Sequence, residues 1–164
     1  MNAKRIIFVI VLGLLAFSLG ASPAAAQATR VNYEGQECTT SSWGVPERSW
    51  ISEDGIMHMR GIALSNQINS DSPYMTGINS LKMNVDLDPT TGEGHAYGTF
   101  TLSPTAIDGD WVGHWSTHVS PAGISGRAVG QGTGALTGMK VVNHMLSSDP
   151  NSPCNNDFGY VLMP

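Results

Sequence analysis

The sequence predicts an all-β domain folded as a single antiparallel barrel of eight or nine strands, and three observations carry that prediction. From residue 36 onward the chain divides into short β-compatible runs separated by turn residues, and no window sustains a 3.6-residue apolar period. In GRAVGQGTGALTGMK, which starts at Gly126, glycines recur at 126, 130, 132, 134 and 138. Glycine inside a strand weakens it and marks a bulge, a bend or a close backbone approach, so this density predicts coiled strands packed under large side chains. The only cysteines, Cys38 and Cys154, stand near the two ends of the domain, and a disulfide between them needs those ends side by side, as in a closed sheet. Two free thiols or half of a metal site are the alternatives, although no CxxC or Cys/His pair at ligand spacing accompanies them.

Lys4 and Arg5 precede an apolar run over residues 6–19, followed by Ala24-Ala25-Ala26-Gln27-Ala28. These are the three regions of a secretory signal peptide, assigned to residues 1–26 with cleavage after Ala26 or Ala28; a retained anchor helix is the alternative. Residues 27–164 then form one domain, exported to a periplasm or the extracellular space. No later segment approaches 18 consecutive apolar residues, so no membrane span is expected in it. Removing Lys4 and Arg5 leaves six basic residues against thirteen acidic ones, and the formal charge moves from −5 to −7. That balance argues against nucleic acid or anionic lipid as partner, since both need clustered cations.

Strands are predicted over 36–42, 48–52, 56–64, 74–87, 94–102, 110–119, 124–131, 136–146 and 157–162. Asp54-Gly55 is a two-residue hairpin signal. Asp88-Pro89-Thr90-Thr91-Gly92 and Ser120-Pro121-Ala122-Gly123 supply further turns.

Register then assigns the faces. A turn at Asp54-Gly55 places Trp50 opposite Met59, with Met57, Met59 and Gly61 on one face and His58, Arg60 and Ile62 on the other. A turn at Pro121-Ala122 places Trp115 opposite Ala128 and Arg127 opposite Ser116, with Trp111, Gly113, Gly126 and Gly130 on the Trp115 face. Large aromatics over glycine and alanine suit a curved interior, so Trp50, Met57, Met59, Tyr97, Trp111 and Trp115 are expected inside. They are the candidate lining of a small-molecule site, with core packing as the alternative role. Arg127, and Arg60 likewise, could grip a ligand carboxylate bidentately; the alternative is an ion pair with one of the acids.

Other chemical signals are weaker. His114 and His118 stand roughly 13 Å apart on one strand face, too far to share an ion; a site assembled across strands from His58, His95 or His144 is the alternative to structural histidines, and no metal is expected. Asp86 to Gly92 has the alternating oxygens of a calcium loop, but Thr91 and Tyr97 occupy the positions where an EF-hand needs glycine and glutamate. Gly130-Gln131-Gly132-Thr133-Gly134-Ala135 fits a dinucleotide fingerprint only if a helix follows, and a strand is predicted there, so no cofactor is expected. Ser125, near His118 across the hairpin, lacks an identifiable acid and oxyanion hole.

The order WISEDGIMHMRG, GTF, DGDWVGHWS and ISGRAVGQGTGALTGMK resembles uncharacterised bacterial proteins related to the allene oxide cyclase and dirigent β-barrels, over roughly residues 50–142. The resemblance implies a barrel of allene oxide cyclase-like type that binds or orients small hydrophobic molecules. The cyclase's polar site residues do not map onto this chain. The expected function is non-covalent binding of a small apolar ligand. One rival is an isomerase or cyclase acting through a buried polar group, with His95 or Thr99 beside Tyr97 as candidates. The other is a structural or interaction module, with a packed interior, that oligomerises or binds a polymer.

Overall fold

A computed structural model describes residues 28–164; the leader assigned to residues 1–26 lies outside the described residues. Nine strands follow in order: β1 (Thr29–Thr39), β2 (Arg48–Ile51), β3 (Met57–Ser70), β4 (Gly77–Leu87), β5 (Gly94–Pro104), β6 (Trp111–Ser120), β7 (Gly123–Gly132), β8 (Lys140–Ser147) and β9 (Cys154–Met163). All neighbours are antiparallel in the order β1-β9-β8-β7-β6-β5-β4-β3-β2, and an additional β1–β3 pairing closes eight of them into a barrel. β2 is the ninth, an outlying strand. The long β3 makes this possible by pairing its first residues with β2 and Asn66 to Ser70 with β1.

β1 and β9, the first and last of the described strands, pair along one seam. Cys38 and Cys154 are directly opposite one another there and are joined by a disulfide, with Cα atoms 4.0 Å apart. Where a strand was predicted from residue 136, Gly134–Leu136 instead forms one 3₁₀ turn, and β8 begins at Lys140.

The interior follows from the period-two alternation of the strands. Along β5, Ala96, Gly98, Phe100 and Leu102 point in while Tyr97, Thr99 and Thr101 point out. Phe100, Gly113 and Gly130 form one row across β5, β6 and β7. A Cβ added at Gly113 or Gly130 would come within 2.8 Å of the Phe100 ring, so the curved wall needs glycine beneath this aromatic. One end of the barrel is packed by Trp111, Leu102, Met75 and Leu136. Trp111 is 0% exposed, and its Nε1 donates to the Tyr74 carbonyl at 2.8 Å, which satisfies the one polar atom of the buried indole.

In β3, Arg60 and Gly61 together face Asn84, because the register shifts between Met59 and Ile62. This is a β-bulge, made possible by Gly61 at φ +74° and held by Gly61 N–H donating to Asn84 Oδ1 at 3.2 Å. The bulge turns Ile62 into the core, where it is 1% exposed, and overturns its expected place on the His58 and Arg60 face.

Candidate functional site

The end of the barrel opposite Trp111 is open. A cavity of about 530 Å³ reaches inward there, between the 150–153 loop and Trp43. Its walls are inward side chains of β3 to β8, mainly Leu64, Leu81, Met83, Val119, Ile124 and Met145, with Trp115 alongside. Beneath it lies a much smaller pocket of about 20 Å³, which shares Glu37, Leu81, Trp115 and Met145 with the larger one.

The floor is polar, and sequence reasoning missed it. Glu37 of β1, Asn66 of β3, Asn79 of β4, Asn143 of β8 and Asp157 of β9 all occupy inward positions, in step with apolar residues or glycine on the same face of their strands. Asn66 and Asn79 donate through Nδ2 to the same oxygen, Glu37 Oε1, at 2.8 and 2.7 Å. Asn143 Nδ2 donates to Asp157 Oδ2 at 3.0 Å. Burial disfavours the charged form of both carboxyls, and the two also repel one another. Glu37 is raised by that burial, against the two amide hydrogen bonds, which favour ionisation. Asp157 is pushed up to about 8, chiefly by burial and then by the Glu37 charge. Tyr33 is likewise held protonated by burial and by both acids, and its hydroxyl donates to the Val142 carbonyl at 3.4 Å. The barrel thus carries proton-bearing carboxyl chemistry at the base of an apolar cavity. Among the described residues, no Lys, Arg or His lines either pocket.

The predicted site residues are dispersed. Trp115, 8% exposed and opposite Ala128 as expected, lines both pockets. Trp111 is inside but belongs to the packed end. Met59 packs partly buried against the core, and Met57 is half-buried at the start of β3; neither lines the cavity. Trp50 is on the outside, 42% exposed and opposite His58 rather than Met59. The β2–β3 connection is a wider turn than a two-residue hairpin, since Ser52 N–H donates to the Ile56 carbonyl and Gly55 N–H to that of Ser52. The one-residue slip reverses the face of Trp50. Tyr97, 36% exposed, follows the outward phase of β5. Arg127 is opposite Ser116 as expected, on the exposed outer face, and lines neither pocket of the barrel interior.

Trp50 belongs instead to an outer cluster. It stacks on His58 with ring centroids 4.8 Å apart, and the Arg60 guanidinium lies 5.2 Å from its ring. His58 Nδ1 is 2.5 Å from Asp86 Oδ1, and His58 Nε2 is 3.0 Å from Ser52 Oγ, which is the connectivity of a Ser-His-Asp triad. Burial raises the Asp86 carboxyl, but hydrogen bonds from His58 and Arg60 bring it below the ordinary range. Three features argue against nucleophilic catalysis. Arg60 Nη2 binds the same Asp86 oxygen at 2.6 Å, Ser52 Oγ also hydrogen-bonds the Asp54 carboxylate, and the Ser52 and Gly55 N–H groups are committed to turn carbonyls. The nucleophile therefore sits beside a negative charge, and its own amide and that of Gly55 are not free to serve an oxyanion.

The remaining motifs fall into turns and outer surface. Asp88 Oδ1 accepts from the Thr90 and Thr91 N–H groups, which makes that segment an Asx turn. Ser125 is directly opposite His118 on the outer face, and His95 is opposite His118 on its other side. Gly130 to Ala135 leads from β7 into the short 3₁₀ turn, which lacks the helix a dinucleotide fingerprint requires. Among the described residues, no group of three or more His, Cys, Asp or Glu could hold a metal ion. Neither protein-family models nor curated protein sequences match the chain, so function has to be read from the site itself.

Proposed function

We propose that this is an exported barrel, related to the allene oxide cyclase and dirigent barrels, that binds a small and largely apolar molecule without covalent chemistry. The observation that carries the reading is the 530 Å³ cavity, open at one end, with largely apolar walls and polar residues at its mouth and floor. Its size falls within the roughly 300–1,000 Å³ typical of small-molecule sites. Export is supported by the leader-like sequence at the N-terminus together with the Cys38–Cys154 disulfide, a bond that persists in oxidising compartments. Native mass spectrometry of protein purified from its own secretory compartment, against the denatured mass, tests the binding role. A reproducible extra mass lost on denaturation is expected. A bare chain that also takes up no apolar probe from solution would falsify the reading in favour of a structural module.

One observation favours a second reading, an isomerase or cyclase: two carboxyls, Glu37 and Asp157, raised by burial beneath a ligand-sized cavity. Perturbed acids in clefts mark candidate general acids. Turnover of the released ligand by the wild type, lost in Glu37→Gln with the fold intact, would select this reading over passive binding.

A further inference from the structure

Five buried side-chain oxygens receive no hydrogen bond from the protein among the described residues: Asn66 Oδ1, Asn79 Oδ1, Asn143 Oδ1, Asn155 Oδ1 and Asp157 Oδ1. The four amide oxygens are acceptors only, whereas Asp157 Oδ1 can carry the carboxyl proton that burial retains. Asn66, Asn79 and Asn143 are each 6% exposed, so these groups are not served by bulk solvent. The imbalance has a local cause. Each of these three amides turns its NH₂ toward a carboxylate oxygen, two to Glu37 and one to Asp157, and its own carbonyl oxygen is left without a donor. Asn66 and Asn155 line the large cavity, while Asn79 and Asn143 line the small pocket beneath it.

Buried acceptors are nearly always paired, so what this floor lacks is donors. The small pocket, about 20 Å³, accommodates one water-sized group, since a site needs roughly 10–15 Å³ by this kind of measure. Among the described residues neither lining holds a cationic side chain, and Glu37 lines both, so an anionic head would meet a surplus of acceptors with no counter-charge. We propose that the ligand carries a hydrogen-bond-donating head, a hydroxyl or an amine, which seats in the Asn79–Asn143 pocket while its apolar body fills the cavity above. This rests on the binding reading and names its ligand class.

The test is isothermal titration of the intact, disulfide-bonded protein at pH 7 with four probes that share one ten-carbon chain: 1-decanol, decylamine, methyl decanoate and decanoate. Decanol, decylamine or both should bind at least tenfold tighter than methyl decanoate, which has only acceptors, and decanoate should be weakest. Preference for the amine would mean a cationic head over an ionised Glu37, and preference for the alcohol a neutral head; either supports the proposal. Methyl decanoate or decanoate binding as tightly as both donors overturns it while leaving the binding role standing, the floor oxygens then being served by water. Binding by none of the four overturns it too, and with a bare native mass removes the binding role as well. As a second measurement, Asn143→Leu, checked for native near-UV circular dichroism, should reduce the decanol preference several-fold; an unchanged preference places the head elsewhere.

Discussion

Raising the pH from about 4 to about 8 should weaken this fold, contrary to the usual behaviour of an acidic protein. The unfolded chain releases the Asp157 proton near 3.8, whereas the native carboxyl keeps it to about 8. Between those values the native state binds the extra proton, so unfolding free energy falls with pH. The contribution is fully present below about pH 4 and lost as pH rises through about 8. The slope approaches about 1.4 kcal/mol per pH unit for one group, so over roughly four units Asp157 has a ceiling of about 5 to 6 kcal/mol. Glu37, raised by burial, acts with the same sign. Asp54, lowered first by its Ser52 hydrogen bond, and Asp86, lowered against burial by His58 and Arg60, act oppositely, and their stabilisation is lost only as the pH falls below about 4. Urea unfolding with the disulfide intact, followed by tryptophan fluorescence at pH 4.5, 6 and 8, reads the slope directly. Asp157→Asn, which keeps the shape and removes the ionisation, should be more stable than the wild type at pH 8 by about 2 kcal/mol or more, with the difference shrinking toward pH 4.5. Stability that rises with pH across this range, or an unchanged slope in Asp157→Asn, would refute the placement of these carboxyls in the interior.

Reducing the Cys38–Cys154 bond frees a loop of 116 residues in sequence separation, and in the chain-entropy model this costs about 5 kcal/mol. An unchanged denaturation midpoint in reductant would show that the β1–β9 seam does not depend on it. Trp111→Ala should cost about 3–5 kcal/mol, whereas Trp50→Ala, at the outer cluster, should cost under about 1 kcal/mol and leave probe binding unaltered. Equal losses from the two, or loss of binding with Trp50→Ala, would contradict their opposite placement. A fluorophosphonate should not label Ser52; a Ser52 adduct abolished by His58→Gln would make the outer triad a hydrolase.

The fold was legible because turn chemistry and glycine placement are local signals. The Pro121 hairpin is tight, so its register could be counted, and Trp115 opposite Ala128 with Arg127 opposite Ser116 followed. The Asp54-Gly55 turn was counted one residue short, and that single step carried Trp50 through the wall. Gly61, an isolated glycine in a strand, was the available signal for the bulge that sends Ile62 inward. Tyr97 was placed by size when the Ala96, Gly98, Phe100, Leu102 alternation already put it outside. The polar floor was missed because interior positions were assigned only to apolar residues. Its signal was the phase of Glu37, Asn66, Asn79, Asn143 and Asp157, each in step with inward apolar residues or glycine on its strand. No local pattern could have shown that these five strands bring their polar residues together, because that depends on barrel closure.

That closure fixes an order of events for a chain that emerges N-terminus first. Among the described strands, β9 is the one that bridges β8 to β1. Until residues 154–163 are available, β1 and β8 are both unpaired along one edge, and an open edge of that kind invites pairing with another chain. The ring is therefore completed by its newest segment, and Cys154, the first residue of that segment, stands where it can latch the finished circle to Cys38. A stop anywhere before residue 154 leaves a curled sheet with a gap, and a gap in the wall beside Glu37 opens the cavity floor to solvent.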